Sequence, residues 1–479
     1  MISSLRLWVP PALRDSGVAT VVLVAVCCLV TVACAVSPTL TLVACVGLAV
    51  AICIVRFPTF GMVLVLSFIL VQDSPIFQQY GVLVSRGATV TDLGALLVLL
   101  GVALEPVWKP TDLLARVRGR ALLPLVAVAA YFGWGVVACF WSSAPTSDLV
   151  NFLRLQAEVV VLLLLALLVL RERSRVRWAM AAYSVVGLLL ALYVIHTFLS
   201  LHGLASGPLT PSQAQAYRGG QTGFNYNELS IMLSVVPAMT YLAAERLRGD
   251  VRAALTALTV PLVGFAMIIL TSRSAILGLA ASFVLALLLA RGAKGRIAVG
   301  GFVAFGAALF ALVSTSGGLP YYFQQRFQLA STDQVGGRGP VWQLALDLFQ
   351  KHPMGLGAVA YESVIMPTAN VSVYAGVTSP HSDYIGTLVD LGLIGAILLV
   401  VMLVLLGREI VFLGGRRNPA SIVIFTVLMI SMVSGSFLQT HWYWVIMSLI
   451  LCYALTSSPI QSNEKALEGT ASASAEPSP

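Results

Sequence analysis

A chain of 479 residues that is 58% hydrophobic and only 10% charged lacks the polar surface of a water-soluble domain, where roughly a quarter of residues are charged. The mean hydropathy of +0.93 makes lipid the solvent for most of its length. A net charge of +8 suggests nucleic acid only when it is gathered into one patch, and here it is spread among short connections.

A spanning helix needs about 20 apolar residues, and lipid admits only helices or closed barrels. The apolar runs are too long and continuous for barrel strands. The sequence therefore predicts an all-α polytopic membrane protein. In chain order the runs predict helices near 18–36, 39–55, 58–72, 89–105, 121–140, 151–170 and 177–200. They continue near 228–243, 253–271, 274–290, 297–315, 383–406, 419–437 and 442–457. At that length this is about 12–14 transmembrane helices. A second apolar run follows the first almost at once with no convincing cleavage site between, so the first reads as a retained helix. The transmembrane domain thus fills 1–457, and the small, polar 458–479 has the composition of a disordered cytoplasmic tail. All seven cysteines fall in apolar runs without a CxxC pair and read as small packed hydrophobes.

Basic residues set the orientation. With the connections numbered alternately, the side holding the N-terminus collects most of the 28 Lys and Arg, among them Arg116, Arg118, Arg171, Arg173, Arg246 and Arg296. That side is cytoplasmic, and both termini lie on it. The opposite side holds Arg86, Arg154, Arg218, Arg273, Arg326, Arg338 and Lys351, together with all five histidines.

Two outer connections are long, 201–227 and 316–382. Loops of that length are functional or disordered, and the second is not low in complexity. Pro340 can open a helix and Pro353 can end it. Trp342, Ala345, Leu346 and Phe349 recur between them at helical spacing, predicting an amphipathic helix able to lie on the membrane surface. A large ordered extracytoplasmic subdomain is expected there. The chain shows no soluble catalytic domain, P-loop, HExxH or DxD pair, so chemistry, if any, belongs to the outer face, with no metal or cofactor expected.

Rare polar groups near membrane depth need a partner or a function. Arg273 sits at a tight outer turn between Ser272 and Ser274, with little freedom to snorkel. Arg338 stands among glycines ahead of a helix start, where the backbone can come close to an anion. His381 precedes Ser382, Asp383 and Tyr384 at the outer mouth of a helix. Ser382 or Asp383 can cap that helix. An imidazole titrating near neutrality can take a proton from a hydroxyl nucleophile. Gly392 and Gly395, further along, most simply allow close helix packing. Arginine forks suit a diphosphate, and the activated donor available outside a cytoplasmic membrane is a sugar on a polyprenyl diphosphate.

Four stretches carry a resemblance, in a fixed order: GFNYNELSIMLSVVP, ILTSRSAILGLAAS, GGRGPVWQLALDLFQKHPMGLG and SPHSDYIGTLVDLGLIG. Over roughly 220–410 the chain resembles the O-antigen ligase and polymerase superfamily of bacterial membrane glycan-transfer enzymes. The resemblance implies a metal-independent glycosyltransferase with an undecaprenyl-diphosphate-linked glycan as donor and a glycan or glycolipid as acceptor. It implies that His381 is the catalytic residue and that Arg273 and Arg338 engage the diphosphate. Arg154 is a further candidate for that pocket, and Asn227, Asp383 and Tyr384 are candidates for substrate positioning. Asp390 stands where the family commonly has glutamate. The alternative function is a transporter or flippase, which predicts inverted repeats and a polar path at mid-membrane; no convincing repeat is visible.

Overall fold

The computed structural model describes residues 38–71, 90–104, 121–202, 225–270, 272–289, 339–358, 380–413 and 418–456, with Tyr361 and scattered helical positions between 293 and 311. The helix expected at 18–36, most of the two long outer loops and the tail 458–479 lie outside the described residues, as does most of 297–315. The described residues are helical, without a strand.

The α-helices are α1 (Pro38–Arg56), α2 (Pro58–Ile69), α3 (Val90–Leu104), α4 (Leu122–Ala138), α5 (Pro145–Val169), α6 (Arg173–His202) and α7 (Tyr226–Ser234). They continue as α8 (Val236–Ala243), α9 (Gly249–Leu270), α10 (Arg273–Leu289), α11 (Gly339–Lys351), α12 (Asp383–Gly407), α13 (Pro419–Ser431) and α14 (His441–Thr456). Five stretches among the described residues are long and apolar enough to cross a membrane: Leu122–Trp141, Pro145–Val169, Arg173–Ser200, Gly249–Leu270 and Asp383–Phe412. Shorter apolar helices accompany them. The protein is a multi-pass membrane protein.

α14 organises the bundle. Every residue from Trp442 to Ala454 is buried, as a helix apolar all round must be when it is enclosed by others. It packs on α5, α6, α2 and α13. Buried indoles need a partner for their N–H, and Trp444 Nε1 donates to the Leu438 carbonyl at 2.8 Å. On the periphery, Leu393, Ile397, Val400 and Val404 form an exposed apolar stripe along α12, the surface that lipid would cover.

The two ends of α14 gather different chemistry. At its C-terminal end Arg173 forms an ion pair with Glu245 and donates to the Tyr453 hydroxyl, which also accepts from Asn418. At its N-terminal end His441 pairs with Glu158 of α5, and Trp442 Nε1 donates to Glu228 of α7 at 3.1 Å. At about 1.5 Å per residue the two clusters lie some 18 Å apart, so each belongs to one face of the bundle.

Three elements depart from the sequence expectation. The run 228–243 is two helices, because Pro237 has no N–H to continue the ladder; Tyr183 Oη donates to the Met232 carbonyl beside the break, at 3.0 Å. The run 419–437 stops at Ser431, and the backbone beyond it is drawn toward Asp383. Gly392 is not a helix-packing contact: its φ of 68° and ψ of −167° break α12.

Candidate active site

The break in α12 frees three carbonyls, and each finds a donor. Leu356 N–H donates to Val389 and Gly357 N–H to Asp390, at 2.9 and 3.0 Å. Trp134 Nε1 donates to Leu391 at 2.8 Å. In return Leu393 N–H donates to Pro353 at 3.0 Å. The turn 353–358, which follows α11, thus docks into the broken helix. A Cβ on Gly392 would stand 2.3 Å from the Met354 carbonyl carbon, and one on Gly355 (φ 90°) would stand 2.4 Å from the Asp390 oxygen. The two glycine-containing motifs are one interlocked structure.

α11 lies on α12. Val341 and Ala345 pack with Tyr361 against Val389, while Leu346 is exposed. Trp342, expected as an apolar position, donates from Nε1 to the Pro380 carbonyl at 2.8 Å. This fixes the residue immediately before His381.

His381 has φ 47°, the left-handed region, and among the described residues it is the non-glycine residue found there. Such a conformation persists only where neighbours over-determine it, and they do. Ser382 is the N-cap of α12, its Oγ accepting from Ile385 N–H. Asp383 is buried: its two carboxylate oxygens accept from Phe437 N–H at 2.8 Å and Leu438 N–H at 3.1 Å. Asp383 N–H donates to the carbonyls of Met432 and Gly435. Tyr384 Oη donates to the Met429 carbonyl at 3.1 Å. Asp383 therefore clamps the His381 turn to the α13–α14 connection, and Tyr384 ties it to the last turn of α13.

Of the remaining sequence candidates, Arg273, Arg154 and Asn227 are dispersed over three helices. Arg273 opens α10, with its side chain outside the described residues; the flanking Ser272 and Ser274 hydroxyls share a 3.3 Å hydrogen bond. α10 packs along α13, and a methyl on Gly278 would make ordinary contact with Ile430 at 3.6 Å. The starts of α10 and α12 thus flank the same end of α13. Arg338 lies outside the described residues. Arg154 is exposed on α5. Asn227 sits in the first turn of α7, its N–H donating to the Asn225 cap at 3.1 Å.

Beneath the His381 turn lies a cavity of about 100 Å³ bounded by α4, α5, α12 and the α13–α14 connection. Polar groups from Tyr131, Gln156, Thr387, Asp390 and Gln439 line it. Neither Gln156 nor the Glu158–His441 pair stands out from the sequence. The available signal is the pair of polar residues in NFLRLQAEVVVLL, an amide and an acid inside an otherwise apolar spanning run.

No curated protein matches the chain significantly. Residues 257–400 match the family model described as O-antigen ligase, a stretch that runs from α9 to the middle of α12 and contains Arg273, Arg338 and His381. The chain therefore carries a domain of the O-antigen ligase family.

Proposed function

We propose that this protein transfers a glycan from an undecaprenyl-diphosphate donor to an acceptor hydroxyl at the outer face of the bacterial cytoplasmic membrane. The carrying observation is the left-handed backbone of His381, held by Trp342 from one side and by the Asp383 clamp from the other. Backbone strain that is supported from several directions belongs to functional sites. The family match supports glycan transfer as the class of activity.

In this reading the His381 imidazole takes the proton of the acceptor hydroxyl, whose oxygen attacks the anomeric carbon. The bond from that carbon to the diphosphate breaks, and the polyprenyl diphosphate leaves with the electron pair. Arg273 and Arg338 stabilise its charge without a divalent metal, with Arg154 a further cation for the same pocket. In-line displacement inverts the anomeric configuration. Asp383 and Tyr384 position the histidine through the clamp, and Asn227 serves the outer end of α7. The proposed topology has about fourteen spans, both termini cytoplasmic and the site extracytoplasmic. The segregation of the Arg173–Glu245–Tyr453 cluster from the His381 end supports it.

A broken spanning helix is also how transporters build a substrate site. Here the break is filled by the chain's own 353–357 turn, which favours a rigid scaffold over a moving gate. The test is transfer in proteoliposomes from a lipid-linked glycan. His381→Ala is expected to abolish product while reaching the membrane at wild-type level, and near-normal product would sink the assignment. Excess chelator is expected to leave transfer intact. Chain growth from lipid-linked repeats alone marks a polymerase; a requirement for a separate acceptor marks a ligase.

A further inference from the structure

The cavity beneath the His381 turn holds polar groups that the transfer step leaves unused. Gln156 is only 7% exposed on α5, and its Oε1 has no hydrogen-bond partner among the described residues. Buried amide oxygens are almost always bonded, so this one calls for a donor, and the Gln156 side chain is part of the cavity wall. Nearby, the Tyr131 and Thr387 hydroxyls share a 3.0 Å hydrogen bond. One Asp390 oxygen accepts from Tyr361 N–H at 3.0 Å. Gln439, exposed, stands at the rim.

We propose that this cavity seats one neutral sugar ring of a glycan substrate, with Gln156 accepting from a hydroxyl or amide N–H of that ring. The inference rests on the glycan-transfer reading. The volume of about 100 Å³ gives room for on the order of seven waters, comparable to one pyranose ring. The wall selects against the other parts of a lipid-linked glycan. Amide, hydroxyl and carboxylate groups are poor company for a prenyl chain. Among the described residues the lining contains two carboxylates, Asp383 and Asp390, and no Lys, Arg or His, so it disfavours a diphosphate. A few polar groups together with the aromatic residues Tyr131, Phe152 and Tyr361 are the usual composition of a small-ligand site. The ring could come from the donor or from the acceptor, and the kinetics distinguish them.

The experiment uses the full chain in proteoliposomes. Gln156→Leu keeps the side-chain bulk and removes the acceptor oxygen. It is expected to raise the KM for one glycan partner at least tenfold, measured at saturating concentration of the other, with kcat changed far less. A rise for the lipid-linked donor places the donor sugar in the cavity, and a rise for the acceptor places the acceptor sugar there. Gln439→Ala, at the exposed rim, is expected to shift the same KM by a smaller factor and serves if the buried variant fails to accumulate. Glucose, galactose and N-acetylglucosamine are then titrated against wild type and His381→Ala, read by thermal shift. At least one is expected to bind saturably to both and to lose binding in Gln156→Leu or Gln439→Ala. Unchanged KM for both partners, or no saturable binding of any of these sugars, overturns the proposal and leaves a cavity filled by water. Absence of transfer by the wild-type protein sinks the glycan-transfer reading alone, because sugar binding is measured without turnover; retained transfer by His381→Ala removes only the His381 assignment.

Discussion

Trp342 Nε1 donates a 2.8 Å hydrogen bond to the carbonyl of Pro380, joining the first turns of α11 to the residue before the left-handed His381. The glycine- and tryptophan-containing motif and the histidine motif thus meet through backbone, in a contact that presets where the imidazole stands.

Trp342→Phe keeps the ring packing and removes that donor. A part-buried hydrogen bond contributes about 1 kcal/mol, so its full loss at the barrier is expected to lower kcat by roughly fivefold, with KM for the lipid-linked donor nearly unchanged. A variant that instead raises KM alone would move Trp342 from positioning to binding.

Asp383 accepts from two backbone N–H groups of the α13–α14 connection. Asp383→Asn turns one acceptor into a donor that faces a donor. The expected cost is about 1–3 kcal/mol for the unmet buried group, seen as a lower midpoint of thermal unfolding in detergent. Asp383→Asn with wild-type stability and lost activity would give the carboxylate a direct chemical role instead.

Gly392 and Gly278 separate two uses of glycine in spanning helices. Gly392→Ala would hold a side chain at φ 68° and 2.3 Å from the Met354 backbone. Left-handed strain alone costs about 1–3 kcal/mol, and neither backbone can retreat, so the protein is expected to disappear from the membrane fraction. Gly278→Ala places its methyl at 3.6 Å from Ile430 and Val427, ordinary contact, and is expected to accumulate like wild type. Equal accumulation of the two variants would contradict the interlocked turn.

The proposed orientation predicts labelling. A cysteine at Gln439, exposed at the His381 end, is expected to react with a membrane-impermeant maleimide added to intact cells. One at Arg248, exposed beside the Arg173–Glu245 end, is expected to react only after permeabilisation, both judged against the wild-type background. The reverse pattern would invert the topology and move the site to the cytoplasmic face.

Much of the architecture is legible in the amino-acid sequence. Helix positions follow from run length, since an apolar stretch in lipid has no alternative to satisfying its own backbone. α1, α3, α4, α9, α10 and α14 begin and end within a few residues of the apolar runs. The Pro340–Pro353 helix is equally clear from its proline borders. His381 stands out because a histidine beside an acid and two hydroxyls is costly at a membrane helix mouth.

What the tertiary structure alone decided is which face of each helix meets protein and which meets lipid. In water a polar face marks the outside of a helix. In lipid the surroundings are as apolar as the core, so Leu393, exposed, and Leu399, buried, look alike in the sequence. The same loss of contrast hid the burial of Gln156, the pairing of Glu158 with His441, and the role of Gly392, whose left-handed backbone exists only because the 353–357 turn is there to accept it. Chain composition determined the solvent, the helices and the residues with chemistry to offer; packing determined which of them stand together, because only packing distinguishes a buried apolar face from one in the bilayer.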